Sequence, residues 1–511
     1  MEEHRTPNRG VSSEQAAGRT PREGPDEDVA VVSGRVGSIG EPGTTRAGPG
    51  RGRGRAVGRR VRFERDSLAM VVGLVRSGRA GTRQEIEALS GLGRAVVADR
   101  IATLIARGLV EHGELGASTG GRAPRNVRFR ATAGHLLVSS LGTTTLGVGL
   151  ADLSGRLLVE HHEPFDATLG AEKTLDRVEA LFDWMLEEHP EARAIWGIGL
   201  AVPGLVELPN GRLSSRAALH LMPGWYDYPV ARRLGGRFSS TAWVDNAVHL
   251  MALGELHAGR GHGASDLLFV KIGTGISAAL CSDGKVHRGA HGFAGDIGHV
   301  AISDDTTVIC RCGNTGCLES LAGGAAIARA ARQAAEDGRS PYLADILASG
   351  RPITAAQVGM AANRGDPLSI ELLSRSGRLV GETLAILVNA YNPSLVVVGG
   401  GVAQAGEIII AAIREALYRR SRSLVTQNLQ IVRAQMGRTA GLVGAALAVV
   451  DELFAPDHLR SWIDYSSPAR HVEAGIAASP RRDAAASTRP ARRPGGSRSG
   501  AVTQRTARIP G

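Results

Sequence analysis

The chain has 511 residues, too many for one ordinary domain, with a normal globular balance of 43% apolar and 22% charged residues and a formal net charge of +10. No apolar run approaches the ~18 residues of a membrane span and the first ten residues are polar, so a cytoplasmic protein with no membrane partner is expected. Four cysteines in all exclude a secreted disulfide scaffold, and three of them, Cys310, Cys312 and Cys317, fall within eight residues, a spacing that suits metal ligation.

Charge is segregated along the chain. Residues 1–60 carry +3, 61–130 carry +5 and 466–511 carry +7, which leaves −5 for 131–465. A nucleic-acid binder concentrates its basic excess in this way. Residues 1–60 are dominated by Gly, Pro, Arg and Glu. Residues 457–511 are read together as a second biased segment, rich in Ala, Arg, Pro and Ser from Ser466 onward. Neither holds enough large apolar groups to offset ordering entropy, and both are expected to be disordered basic tails.

Residues 61–130 read as a winged helix-turn-helix. Leu68, Val71, Val72, Leu74 and Val75 give one apolar helical face, which Gly78–Gly81 ends. Thr82 and Glu85 have capping-box spacing at the start of a second helix, whose buried side is Ile86 and Leu89. After the turn Ser90–Gly93, a third helix buries Val97, Ile101, Leu104 and Ile105. Its opposite face is small, with Ala95, Ala98 and Asp99 outward, Arg94 at its start and Arg100 on its flank, as a helix entering a major groove requires. A Gly-rich hairpin from Gly113 to Arg130 would be the wing, with Arg122 and Arg125 reaching phosphates or a minor groove.

From His135 strands and helices alternate. Strands are predicted at 135–141, 145–150, 156–161, 195–202, 242–244, 267–272 and 395–399, and helices at 175–188, 247–258, 368–388 and 437–450. Residues 131–456 therefore form an α/β domain of two lobes around a cleft. Seven short motifs lie along it: Gly197-Ile-Gly199 with Pro203-Gly204, Met222-Pro-Gly-Trp225, Val244-Asp-Asn246, Lys271-Ile-Gly-Thr-Gly275, Gly292-Phe-Ala-Gly-Asp-Ile-Gly-His299, Cys310-Arg-Cys-Gly-Asn-Thr-Gly-Cys-Leu-Glu319 and Val398-Gly-Gly-Gly401. In this order they resemble the ROK (repressor, open reading frame, kinase) family, over about residues 65 to 455. The resemblance implies an actin-like, sugar-kinase-like (RNase H-like) fold. Thr119-Gly-Gly-Arg122 and the helices before it resemble the DNA-binding module of the family's regulators, which its free-standing kinases lack.

Cys310, Cys312 and Cys317 supply three soft thiolates on a Gly-rich loop, and His299 can complete a tetrahedral Cys3His site best suited to Zn2+. In the family this zinc is structural and holds a loop beside the sugar pocket. Cys281, on a predicted strand, is expected to be a small buried apolar group. By motif position Asn246, Asp296, His299 and Glu319 correspond to the family's sugar contacts, with Asp296 one methylene shorter than the usual Glu.

Two departures bear on activity. The resemblance places the kinase base directly after the Asn of the strand motif, where this chain has Ala247, and the family's first phosphate loop, Asp-x-Gly-Gly-Thr, becomes Ser140-Leu-Gly-Thr-Thr144. A methyl group accepts no proton, and losing a positioned base typically costs about 10²- to 10⁴-fold. Asp245 cannot substitute, because adjacent strand residues face opposite ways. No catalytic residue is therefore assigned. The expected function is a sugar-responsive transcriptional regulator, a repressor, that binds a double-stranded DNA operator as a homodimer or homotetramer. The rival is an ATP-dependent, glucose-type sugar kinase carrying a DNA-binding head.

Overall fold

The computed structural model describes residues 66–115, 125–192, 194–207, 212–213 and 223–468. Both expected tails lie largely outside them, as do Arg122, the tip of the expected wing and Met222.

The described chain opens with α1 (66–76), α2 (Arg83–Ser90) and α3 (Arg94–Ala106), followed by the antiparallel pair β1 (Val110–Leu115) and β2 (Arg125–Phe129). The Thr82 hydroxyl accepts from the Glu85 N–H at 3.2 Å, and the Glu85 carboxylate accepts from the Thr82 N–H at 3.0 Å, closing the capping box that starts α2. Ile86, Val97, Ile101 and Leu104 are buried as their spacing predicts, but Leu89 is not. It stands 51% exposed at the end of a helix only eight residues long, beyond the edge of this small core.

Next come β3 (His135–Leu141), β4 (Thr145–Asp152), β5 (Leu157–Pro164), α4 (Ala171–Glu188), β6 (Ile195–Val202), the small pair β7 (Val206–Glu207) and β8 (Arg212–Leu213), α5 (Val230–Phe238), β9 (Ala242–Asn246) and α6 (Ala247–Ala258). They build one sheet of order β5-β4-β3-β6-β9, in which β5, β4 and β3 form an antiparallel meander and β6 and β9 add in parallel. The second lobe repeats the plan with β10 (Leu267–Ile272), β11 (Ile276–Ser282) and β12 (Lys285–His287). Its helices α7 (Leu318–Ala322), α8 (Gly324–Glu336), α9 (Pro341–Ala348), α10 (Ala355–Asn363) and α11 (Pro367–Tyr391) precede β13 (Leu395–Gly399), α12 (Glu407–Arg420), α13 (Ser423–Thr426) and β14 (Gln430–Arg433). The sheet order is β12-β11-β10-β13-β14, with the same pattern of antiparallel and parallel pairs.

Each sheet's last strand sends a helix to the other lobe. After β9, α6 packs on β10 and β11; after β14, α14 (Thr439–Phe454) packs back on β3, β4 and β6, and the two helices cross. Gly444 permits the crossing: a Cβ there would overlap the Leu250 carbonyl of α6.

The chain continues into α15 (Pro456–Trp462) and a 3-10 turn, Ile463–Tyr465, where the composition had pointed to a disordered tail from residue 457. Leu459, Trp462 and Ile463, spaced three and one apart, are all buried, so the helical signal is apolar spacing that bulk composition averages away. Trp462 meets Phe454 (5.7 Å between ring centroids) and Trp196 (5.4 Å), and Phe454 in turn meets Phe129 of β2 (5.4 Å), all edge to face. Arg76 of α1 pairs with Asp451 at 2.6 Å, Arg107 with Asp464 at 3.5 Å, and Arg460 with Asp66. One apolar cluster thus runs from α1–α3 through α14 and α15 into the first lobe. No single described helix is long and apolar enough to cross a membrane.

Candidate functional site

The cleft holds two adjoining cavities. The smaller, about 160 Å³, is lined by Pro203, Gly204, Asn246, Asp296, His299, Arg311 and Glu319 among others. The larger, about 630 Å³, lies between the β3–β4 turn and the starts of α8, α10 and α14. Thr143, Ala247, Lys271 and Thr274 line both and form their shared wall. Thr143 and Thr274 occupy equivalent turns of the two lobes, and their hydroxyls meet across the cleft at 2.8 Å.

Asn246, Asp296, His299 and Glu319 all reach the smaller cavity, but on different terms. Asn246 ends β9 and caps α6: its side-chain oxygen accepts from the Val248 N–H at 2.7 Å, and its amide donates to the Gly204 carbonyl at 2.6 Å. Much of its hydrogen-bonding capacity is spent on holding the wall. Glu319 accepts from the Ile276 N–H at 2.9 Å and ion-pairs with Arg311. A Cβ on Gly275 would collide with this pair, so glycine is required there. The Asp296 carboxylate has no hydrogen-bond partner among the described residues; burial and the nearby Glu319 raise its pKa, against the pull of His299 and Arg311. It is the carboxylate most open to a ligand.

Ala247 presents its methyl group to both cavities. Asp245 reaches neither. It accepts from Arg288 Nε at 2.8 Å and lies 3.5 Å from His249 Nδ1. Burial alone would raise its pKa, but His249 and Arg288 hold it below the usual carboxylate range.

His299, Cys310, Cys312 and Cys317 converge behind the smaller cavity, with their donor atoms all within 4.8 Å of one another and no disulfide among them. Cys312 Sγ is 3.7 Å from Cys317 Sγ, and Cys310 Sγ is 3.5 Å from His299 Nδ1. Tetrahedral ligands at the ~2.3 Å and ~2.0 Å of zinc–sulfur and zinc–nitrogen bonds stand about 3.5–3.8 Å apart, so the donor set fits that ion. Burial, together with crowding by its neighbours, pushes the Cys317 thiol up to about 12. Burial is the largest cause for Cys310 too. A cation at the centre reverses that preference.

In the helical module, Arg94, Ala95 and Asp99 are exposed and Ala98 is half-buried on one side of α3, and Arg125 is exposed at the start of β2. Arg100 differs from expectation. Its side chain donates to Ser67 at 2.9 Å and to Asp99 at 2.5 Å, which ties α3 to α1 and leaves little of it for an outside partner. The motifs had not singled out Arg311, Arg288 or Lys271. Lys271 was in view, as one of three lysines in the chain, inside a motif read only for its glycines.

Residues 139–452 match the ROK family. A glucokinase of Halalkalibacterium halodurans is 28% identical over 310 residues, 60% of this chain and 93% of that protein. A xylose repressor of Caldicellulosiruptor bescii is 28% identical over 382 residues, 74% of this chain and 94% of the repressor. A solved ROK family transcriptional regulator, a homologue of the Escherichia coli MLC protein, shares the fold, with a TM-score of 0.66 at 23% identity over 81% of this chain and 100% of its own. The matched region covers both sheets and both crossing helices, and with it more than half of the sequence: this chain belongs to the ROK family.

Proposed function

We propose that the chain is a sugar-responsive transcriptional regulator, a repressor, whose head is a winged helix-turn-helix. The observation that carries this reading is the helical module at residues 66–129, built into one apolar core with α14 and α15 rather than hung on a linker. The xylose repressor match, 72 residues longer than the glucokinase match, supports it. In this reading α3 enters a major groove with Arg94, Ala95, Ala98 and Asp99, while Arg122 and Arg125 serve the wing and Arg100 braces α3 from behind. Two heads on a homodimer, or more on a homotetramer, read repeated half-sites. The setting is cytoplasmic.

The smaller cavity takes the sugar. Asp296, His299 and Glu319 supply acceptors and donors to its hydroxyls, and Asn246 fixes the wall. Zn2+ held by His299, Cys310, Cys312 and Cys317 keeps the Arg311 loop against the pocket. Its role is structural, and no carboxylate stands at 247 to deprotonate a hydroxyl. Closure of the lobes on the sugar acts on α14, which runs from the wall of the larger cavity to the head, and a ligand shifts the head only through its different affinity for the two states.

The test is fluorescence anisotropy of the full chain on its own upstream DNA, with a sugar panel added. Specific binding that one sugar weakens or strengthens is expected; absence of specific binding by zinc-loaded protein at any salt concentration refutes the reading. The kinase alternative draws on the glucokinase match and on the open larger cavity. Hexose-dependent ADP release would establish it.

A further inference from the structure

Val97, Ile101 and Leu104 turn one side of α3 into the core. At about 100° per residue, the opposite side is centred on Asp99, with Ala95 on the turn before it and Ala102 and Ala106 on the turns after it. All four are exposed. The three alanines offer only methyl groups, so Asp99 is the one hydrogen-bonding side chain at the centre of that face. Thr103, at its edge, spends its hydroxyl on the Asp99 carbonyl at 2.9 Å. The Asp99 carboxylate is held in place: one oxygen accepts from Arg100 at 2.5 Å, and Arg100 in turn donates to Ser67 of α1 at 2.9 Å. The Asp99 side chain is 67% exposed and that of Arg100 only 14%, so the brace lies within the protein and the acceptor stands outside it.

A carboxylate on a surface that meets a polyanion is repelled unless it receives a hydrogen bond there. We infer that Asp99 reads a cytosine in the major groove of each half-site and is the specificity-determining residue of α3. Of the four base edges in that groove, cytosine alone offers a donor with no acceptor. Guanine and thymine present acceptors, and the adenine amino group sits beside the N7 acceptor, which opposes a carboxylate. Aspartate has a short arm and reaches a base edge only where the helix seats deeply. Ala95, Ala102 and Ala106 provide that, because no longer side chain on the face holds the helix off. Arg100 is the positioning residue: anchored on Ser67, it fixes one carboxylate oxygen and leaves the other for the base.

This inference rests on the DNA-binding reading of the head and deepens it. The test uses the full zinc-loaded chain. Selection from a randomised duplex pool defines the preferred half-site, and fluorescence anisotropy then measures all four base pairs at every position of it. One position should favour C·G by about 5- to 100-fold over the other pairs. Asp99→Asn should move the preference there to A·T, because an amide donates to adenine N7 and accepts from its amino group. Asp99→Ala should level that position and keep the preferences elsewhere. Arg100→Met should flatten the same position alone; an even loss over all positions overturns its positioning role. A base profile unchanged in both Asp99 variants, or altered evenly across positions, overturns the inference and leaves the DNA-binding head standing. Failure of the wild-type chain to select any sequence overturns both.

Discussion

Asp245 and Ala247 sit on either side of Asn246 and have opposite fates. The switch from β9 to α6 at Asn246 turns Asp245 toward Arg288 and His249 and leaves the Ala247 methyl group facing the cavities. Asp245 has a native pKa below its unfolded value near 4. Its stabilisation is therefore present above that value and is lost as pH falls through the native pKa. Asp245→Asn should cost about 2 kcal/mol at neutral pH, and the cost should shrink steadily as the pH is taken below about 4, as read by urea unfolding across that range. At the proposed zinc site Cys312→Ser should lower bound metal, measured by elemental analysis, from one ion per chain to a small fraction. It should weaken sugar binding about 10- to 100-fold with operator affinity little changed. Equal metal content in both proteins would remove the site. The cysteine cluster was legible because its ligands lie on one short loop with only His299 brought from outside. The Arg311–Glu319 pair and the Arg100–Ser67 bond were not, since each depends on where two separate elements meet.

Elements were legible wherever their signals are local. The predicted bounds of β3, β6, α6, β10 and β13 coincide with the observed ones, because each is an apolar run closed by polar or glycine residues. α15 escaped because bulk composition hides its apolar spacing, and the exposure of Leu89 because tertiary packing decides it: Trp462 packs on Phe454 and Trp196, whereas Leu89 stands half-exposed at the end of its short helix. Trp462 also donates its indole N–H to the Leu453 carbonyl at 3.0 Å. Trp462→Ala should destabilise the chain by about 3–5 kcal/mol. Hydrogen exchange should speed most in α1, α3 and α15; loss of protection confined to α15 would show that the head holds itself together.

In the whole molecule one plan occurs twice, two sheets of identical order exchanging a helix across a cleft. No repeat is legible in the residues, because the lobes share topology while their insertions differ: β7, β8 and α5 in one, the cysteine loop and α7–α11 in the other. The exchange joins the cleft to the head, since α14 begins beside Gly437 and Arg438 at the larger cavity and ends at Phe454 under the head. It also imposes an order in time. During synthesis β2 emerges roughly 300 residues ahead of α14, and at ~5–20 residues per second the head waits roughly 15–60 s for the aromatic residues that close its core. A ribosome-bound chain therefore displays its N-terminal helical module before the residues that complete its core exist. That module shares its core with the last crossing helix, so a chain that stalls before residue 454 leaves Phe129 without its aromatic neighbour.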